Sequence, residues 1–190
     1  VGLSGMPILL NTKDPDEIVK AVYAISPTFA AIQLEDISAP RCFEIEARLQ
    51  AMLDIPVLHD DQHGTAVVST AALKVAASRA GVDLNKAKIG QIGLGAGGNG
   101  IGKMLMRLTG NQVLGSDLNE DAIQRFERDG GQRSSLKEIM AECDIVVATT
   151  GVPNLIKPEM VRKGQVILAL SNPNAEIDPD VALAHGAAFA

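Results

Sequence analysis

Short apolar runs recur along the chain at residues 6–10, 30–34, 56–59, 88–94, 112–116, 145–149 and 165–170. Runs of that length, bounded by turn residues, read as buried strands. Stretches of helical period lie between them. Pro15-Asp16-Glu17 opens one that runs to about Ile25, with its acids in the first turn where they suit the helix dipole. A second starts at Pro40, with Phe43, Ile45, Leu49 and Leu53 as its apolar face and Glu44, Glu46, Arg48 and Gln50 as its polar one. A third, over 65–80, is rich in Ala and Val with few charges and is expected to be buried on most sides. Strands alternating with helices of this length predict an α/β fold built on a doubly wound parallel sheet. No internal repeat or low-complexity linker interrupts the pattern, and residues 80–86 form its clearest turn.

The run 88–94 leads into Gly93-Leu94-Gly95-Ala96-Gly97-Gly98-Asn99-Gly100, and Ile101-Gly102-Lys103-Met104-Leu105-Met106 follows with helical character. Strand, glycine loop and helix in that order suit a dinucleotide. Glycines permit the tight turn, let the backbone approach a pyrophosphate and pack the helix on the strand. Two registers fit: Gly93, Gly95, Gly98 or Gly95, Gly97, Gly100. The next apolar run ends at Asp117, about 20 residues past the glycines, where an acid hydrogen-bonds the free ribose hydroxyls of NAD. Leu118 and Asn119 follow, with no Arg or Lys alongside to neutralise a 2′-phosphate, so NAD is favoured over NADP.

Two acidic motifs lie upstream, Leu34-Glu35-Asp36 and His59-Asp60-Asp61-Gln62-His63-Gly64-Thr65, each after an apolar run. Carboxylates gathered at strand ends repel one another without a cation, and hard oxygen ligands point to Mg²⁺ or Mn²⁺ rather than zinc. The competing reading is solvated acids at strand ends and helix N-caps. Adjacent residues of a strand face opposite ways, so Asp60 and Asp61 can share one ion only where the strand has ended. Glu35 and Asp36 face the same constraint, and Ser38-Ala39-Pro40 offers a turn. His59 and His63 echo a zinc helix only superficially, because His59 closes a strand-like run. Arg41 suits either a carboxylate clamp or a salt bridge with Glu44 or Glu46.

The stretches Ile32-Gln33-Leu34-Glu35-Asp36-Ile37-Ser38-Ala39-Pro40-Arg41-Cys42-Phe43-Glu44-Ile45-Glu46 and Asp54-Ile55-Pro56-Val57-Leu58-His59-Asp60-Asp61-Gln62-His63-Gly64-Thr65-Ala66 resemble signatures of bacterial-type malic enzymes, and Ala169-Leu170-Ser171-Asn172-Pro173 resembles a third. The resemblance implies that Glu35, Asp36 and Asp61 hold the divalent cation. It places Asp60 beside a catalytic lysine, and has Asn172 reach the substrate and the nicotinamide. NAD would lie over Gly95, Ala96, Gly97, Gly98 and Gly100, with Asp117 on the ribose. Residues 1–59 would be part of a substrate and metal domain, and 60–190 a Rossmann-type NAD-binding domain.

The implied activity is oxidation and decarboxylation of L-malate to pyruvate and CO₂. The alternatives are a malolactic conversion to lactate and a non-catalytic dinucleotide-binding module. The family's base lysine and acid tyrosine are expected upstream, so this segment alone is expected to be inactive. Tyr23, the one tyrosine, reads as packing. Family glycines before the first acidic motif are Ala30-Ala31 here, and a family G-A-G-A-A-G loop is Gly95-Ala96-Gly97-Gly98-Asn99-Gly100. The family is usually homo-oligomeric, and the same is implied here.

Composition narrows the partners. A net charge of -6 with scattered basic residues argues against nucleic-acid or anionic-membrane surfaces. Cys42 and Cys143, far apart, fit a reducing cytoplasm and no disulfide framework. No run reads as a membrane span or signal peptide. The chain opens on Val1 and closes on an apolar run, so both ends are expected to be internal to a longer protein.

Overall fold

The computed structural model describes residues 2–190, which divide into two compact units after His59. The first unit contains helix α1 (Pro15–Ile25), a 3₁₀ turn (Ser26–Thr28), strand β1 (Ile32–Leu34), helix α2 (Arg41–Met52) and strand β2 (Val57–His59). Asp14 caps α1 by accepting from the Asp16 and Glu17 amides. β1 and β2 pair in parallel, with Leu34 opposite His59. Ile18, Val19 and Val22 of α1 and Ile45 and Leu49 of α2 bury against Leu34 and Val57.

Two expectations for this unit fail, and two others are sharpened. Residues 6–10 form no strand; no neighbour pairs with them among the described residues, and Leu9 is 92% exposed. The buried stripe of α2 is Cys42, Ile45, Glu46 and Leu49; of the expected apolar face Ile45 and Leu49 are buried and Leu53 packs against the same core, while Phe43 is only partly buried. That stripe follows the i, i+3, i+4, i+7 spacing of a helix face, and it carries the acid Glu46 inward, where its carboxylate accepts the His59 amide at 2.8 Å. Tyr23 is half exposed, outside the apolar face of α1. Arg41 donates to the Lys13 carbonyl and to Ser38 Oγ, so it pins the loop before α2.

The second unit begins with α3 (Asp60–Ala80) and continues through β3 (Ile89–Ile92), α4 (Ala96–Thr109), β4 (Val113–Ser116), α5 (Glu120–Arg128), β5 (Gln132–Arg133), α6 (Leu136–Glu142), β6 (Ile145–Ala148), a 3₁₀ turn (Pro158–Met160), β7 (Val166–Ala169) and α7 (Pro179–Ala184). Its five strands are all parallel, in the order β5-β4-β3-β6-β7. Alternate residues of β6 feed two cores: Ile145 and Val147 join one with α3, α4 and α5, while Val146 and Ala148 join the other with α6. Burial on both faces is what makes such strands read as continuous apolar runs. The expected doubly wound fold is therefore present. β5 gave no apolar signal because both its residues are exposed at the sheet edge.

α3 starts five residues before the expected position, directly after β2. It is not buried on most sides, since Val67, Val68 and Val75 are each more than half exposed. In the core between α4, β4 and β5, the fully buried ring of Phe126 occupies space kept open by Gly102, Gly115 and Gly131, where a Cβ would collide with it. Cys143 is buried and free, and burial, with Asp144 and Glu142 nearby, pushes its thiol up to about 11.

Candidate functional site

β3 is the central strand with β4 on one side and β6 on the other, so the chain reverses its winding there and opens a crevice at the carboxyl edge. Gly93 leaves β3 at φ +86, and a Cβ there would meet the Thr149 carbonyl oxygen at 2.6 Å. Gly95 is the N-cap of α4 and supplies no side-chain cap; a Cβ on it would meet nothing within 4 Å. Gly98 packs against the Gly93 carbonyl and the Gln91 side chain. These three glycines make, in turn, the tight bend, the open approach and the close helix–strand contact, so the geometry fits the first of the two registers. α4 begins at Ala96 rather than near 101, which places Gly97, Gly98 and Gly100 inside it. Gly97 lies against Thr65 Cγ2 and the Asp61 carbonyl, and Gly100 against the Gln62 carbonyl, so both serve the packing of α4 on α3. With glycine at the N-cap, the first amides of α4 have no helical acceptor and receive none from the cap side chain, an arrangement that favours an anion.

Asp117 follows β4 and is held at both oxygens: Oδ2 accepts the Leu94 amide at 2.6 Å and Oδ1 the Asn119 amide at 2.8 Å. Its carboxylate is thus fixed beside the glycine loop. Leu118 is fully exposed, and Asn119 caps α5. Arg133, opposite Gly115 in the β4–β5 register, is held by Glu120 at 2.8 Å. Gln91, which the sequence reading passed over, is fully buried under the loop and donates to the Gly93 carbonyl at 3.0 Å and to Thr149 Oγ1 at 2.9 Å.

On the other side of β3, the loops after β6 and β7 carry Thr149-Thr150-Gly151 and Ser171-Asn172. Asn172 is exposed there. Both loops are joined to Glu176, a fully buried acid that hydrophobic periodicity could not flag. Burial alone would raise its pKa, but hydrogen bonds from Ser171 and Thr150 outweigh that and hold the carboxyl below its usual range.

Of the acidic candidates, Glu35 and Asp36 lie exposed after β1 in the first unit, Glu35 accepting from Gln33 Nε2 at 2.5 Å. Asp36 itself makes the turn, at φ 54, a left-handed conformation that Asp tolerates better than most residues. Asp60 and Asp61 occupy the first turn of α3, so the strand has ended before them, and the Asp60 carboxyl leans over Gly64. Among the described residues no group of three or more His, Cys, Asp or Glu side chains is gathered closely enough to hold a metal ion. His59 is buried in β2 and His63 exposed on α3. No helix of the described residues is long and apolar enough to cross a membrane.

Comparison with known proteins bears on both units. Residues 10–50 match the family model "Malic enzyme, N-terminal domain", and residues 50–155 match "D-isomer specific 2-hydroxyacid dehydrogenase, NAD binding domain". Over 190 residues the chain is 61% identical to NAD-dependent malic enzyme 1 of Bacillus subtilis, covering 100% of this chain and 43% of that protein. It is 36% identical to the bifunctional malic/malolactic enzyme of the same organism, over 98% of this chain and 49% of that one. The crystal structure of the NAD-dependent malic enzyme from Thermotoga maritima superposes with a TM-score of 0.85 at 33% identity, over 96% of this chain and 53% of that one. The chain thus spans about half the length of the relatives it matches.

Proposed function

We propose, from the premise that this chain belongs to the malic enzyme family, that the intact protein oxidises L-malate with NAD and releases pyruvate and CO₂. One observation carries the cofactor half of this reading: the open N-cap glycine, Gly95, stands before the uncapped first turn of α4, beside the doubly anchored carboxylate of Asp117. A pyrophosphate fits the space that a Cβ at Gly95 would fill, against amides that lack helical acceptors. Asp117 accepts from the ribose hydroxyls, and its fixed negative charge disfavours a 2′-phosphate, so NAD is preferred to NADP. When bound, NAD supplies the acceptor for the hydride leaving C2 of malate. With the hydroxyl proton also removed, the product is a β-keto acid; its β-carboxylate, borne on C3, leaves as CO₂, and a proton returned to C3 gives pyruvate.

In this reading residues 1–59 belong to the substrate and metal domain and 60–190 to the cofactor domain. Asp60 stands next to the base lysine, and Asn172 faces the substrate. Candidates for a divalent cation are Glu35 and Asp36 in the first unit and Asp61 in the second. Because no ligand group is assembled among the described residues, no chemical step is routed through that ion. A homo-oligomer in the cytoplasm, without nucleic-acid or membrane partners, completes the proposal. A malolactic outcome is favoured by the likeness to the bifunctional enzyme. Incubating the intact protein with L-malate, NAD and Mn²⁺ tests both readings. NADH and pyruvate in equal amounts support oxidative decarboxylation, lactate without net NADH supports the second, and neither product overturns both.

A further inference from the structure

We propose that Glu176 is a positioning residue for the nicotinamide end of the cofactor, joining the loops after β6 and β7 into one preformed surface. The inference rests on the NAD reading above. Glu176 has 0% of its surface exposed, and among the described residues no Lys or Arg pairs with it. A buried carboxylate without a counter-cation is costly unless hydrogen bonds satisfy it. Here Oε1 accepts from the Thr150 amide at 2.5 Å, Thr150 Oγ1 at 2.8 Å and Ser171 Oγ at 2.5 Å, while Oε2 accepts the Ser171 amide at 3.4 Å.

Because an ionised carboxylate only accepts, it turns both hydroxyl protons towards itself. The hydroxyl lone pairs then face outward, where Ser171 Oγ accepts the Gly151 amide at 2.8 Å and Thr150 Oγ1 the Val152 amide at 3.1 Å. One side chain therefore dictates the backbone path of 150–152 and the start of the segment that carries Asn172. The same surface continues into the glycine loop, since Thr149 Oγ1 accepts from Gln91 and donates to the Gly93 carbonyl at 3.3 Å. Asp117 fixes the ribose end on the β4 side of β3, so a dinucleotide crossing the glycine loop must extend its other half over β6 and β7.

Glu176→Gln keeps the shape and removes the charge, and Ser171→Ala removes one donor while leaving the carboxylate. Each is made in the intact protein, with thermal unfolding as the control for folding. Hydrogen bonds to an ionised acceptor are roughly twice as strong as neutral ones, so NAD affinity is expected to fall about tenfold in either variant. Turnover with malate falls as well. ADP, which occupies only the adenosine half, is expected to bind within about twofold of wild type, because Asp117 and Gly95 are untouched. Unchanged NAD affinity in both variants, or equal weakening of NAD and ADP, overturns the role assigned to Glu176. Wild-type protein that binds neither NAD nor ADP overturns the cofactor reading itself, and the inference with it.

Discussion

Replacing Gly95 and Gly98 separately by alanine should split cofactor binding from folding. At Gly95 the backbone is extended (φ −64, ψ −162) and an added methyl meets nothing within 4 Å. Losing an N-cap glycine costs up to about 1 kcal/mol, and the stiffer unfolded chain offsets about 0.4–1 kcal/mol of that. Stability should therefore stay within about 0.5 kcal/mol of wild type. At Gly98 the methyl lands on the Gly93 carbonyl oxygen and 2.9 Å from Gln91 Nε2, so α4 must move away from β3. Helix propensity favours alanine by roughly 1 kcal/mol, but overpacking against backbone falls near the upper end of its usual cost of about 1–3 kcal/mol. The net loss is about 2 kcal/mol, which lowers Tm by roughly 4–8 °C in a chain of this size. Circular-dichroism melting gives the stability, and fluorescence titration with NAD gives the affinity. Gly95→Ala should melt like wild type and bind NAD at least about tenfold more weakly, a loss of about 1.4 kcal/mol. Wild-type NAD affinity in Gly95→Ala, or a wild-type Tm in Gly98→Ala, would refute the roles assigned to the two glycines.

Asp117→Ser should narrow the preference for NAD over NADP, read as the ratio of dissociation constants at fixed salt; a wild-type preference for NADP would sink the assignment. Glu176 has a folded pKa below its unfolded value, so its stabilisation is full above the unfolded carboxyl range near about 4.3 and is lost as pH falls through the folded value. In urea unfolding, the deficit of Glu176→Gln should accordingly be largest at neutral pH and shrink in acid, and a deficit that grew in acid would contradict the hydrogen-bond argument. Asp61→Asn should weaken Mn²⁺ binding by the intact protein far more than Asp16→Asn, which only loosens an exposed pair with Arg48. Equal effects would remove Asp61 from the candidate ligands.

The parallel sheet was legible because its strands are buried on both faces, and Val166–Ala169 and Ile145–Ala148 could hardly read otherwise. The glycine turn after β3 was legible because its tight bend and close helix–strand contact need glycine at particular spacings. β5 was invisible, since Gln132–Arg133 joins the sheet through backbone pairing with no apolar side chain to announce it. The reverse error arose at 6–10, where apolar residues find no partner strand among the described residues. The start of α3 was missed because β2 passes into it without a turn residue between His59 and Asp60. Glu46 and Glu176 were misread or missed for one reason: a pattern of apolar and polar positions counts an acid as surface, whereas both are buried and hold backbone amides in place.

The cage around Phe126 constrains how such a sequence can drift. A side chain gained at Gly102, Gly115 or Gly131 needs a smaller residue at 126 in the same step, and a smaller residue at 126 leaves a void that only regained volume at those glycines refills. The four positions therefore form one linked unit of inheritance, although they sit on α4, β4, α5 and the approach to β5. Single changes within it are closed paths and paired changes are open ones. Among descendants of this sequence, an aromatic at 126 and glycine at the other three positions should be kept or exchanged together.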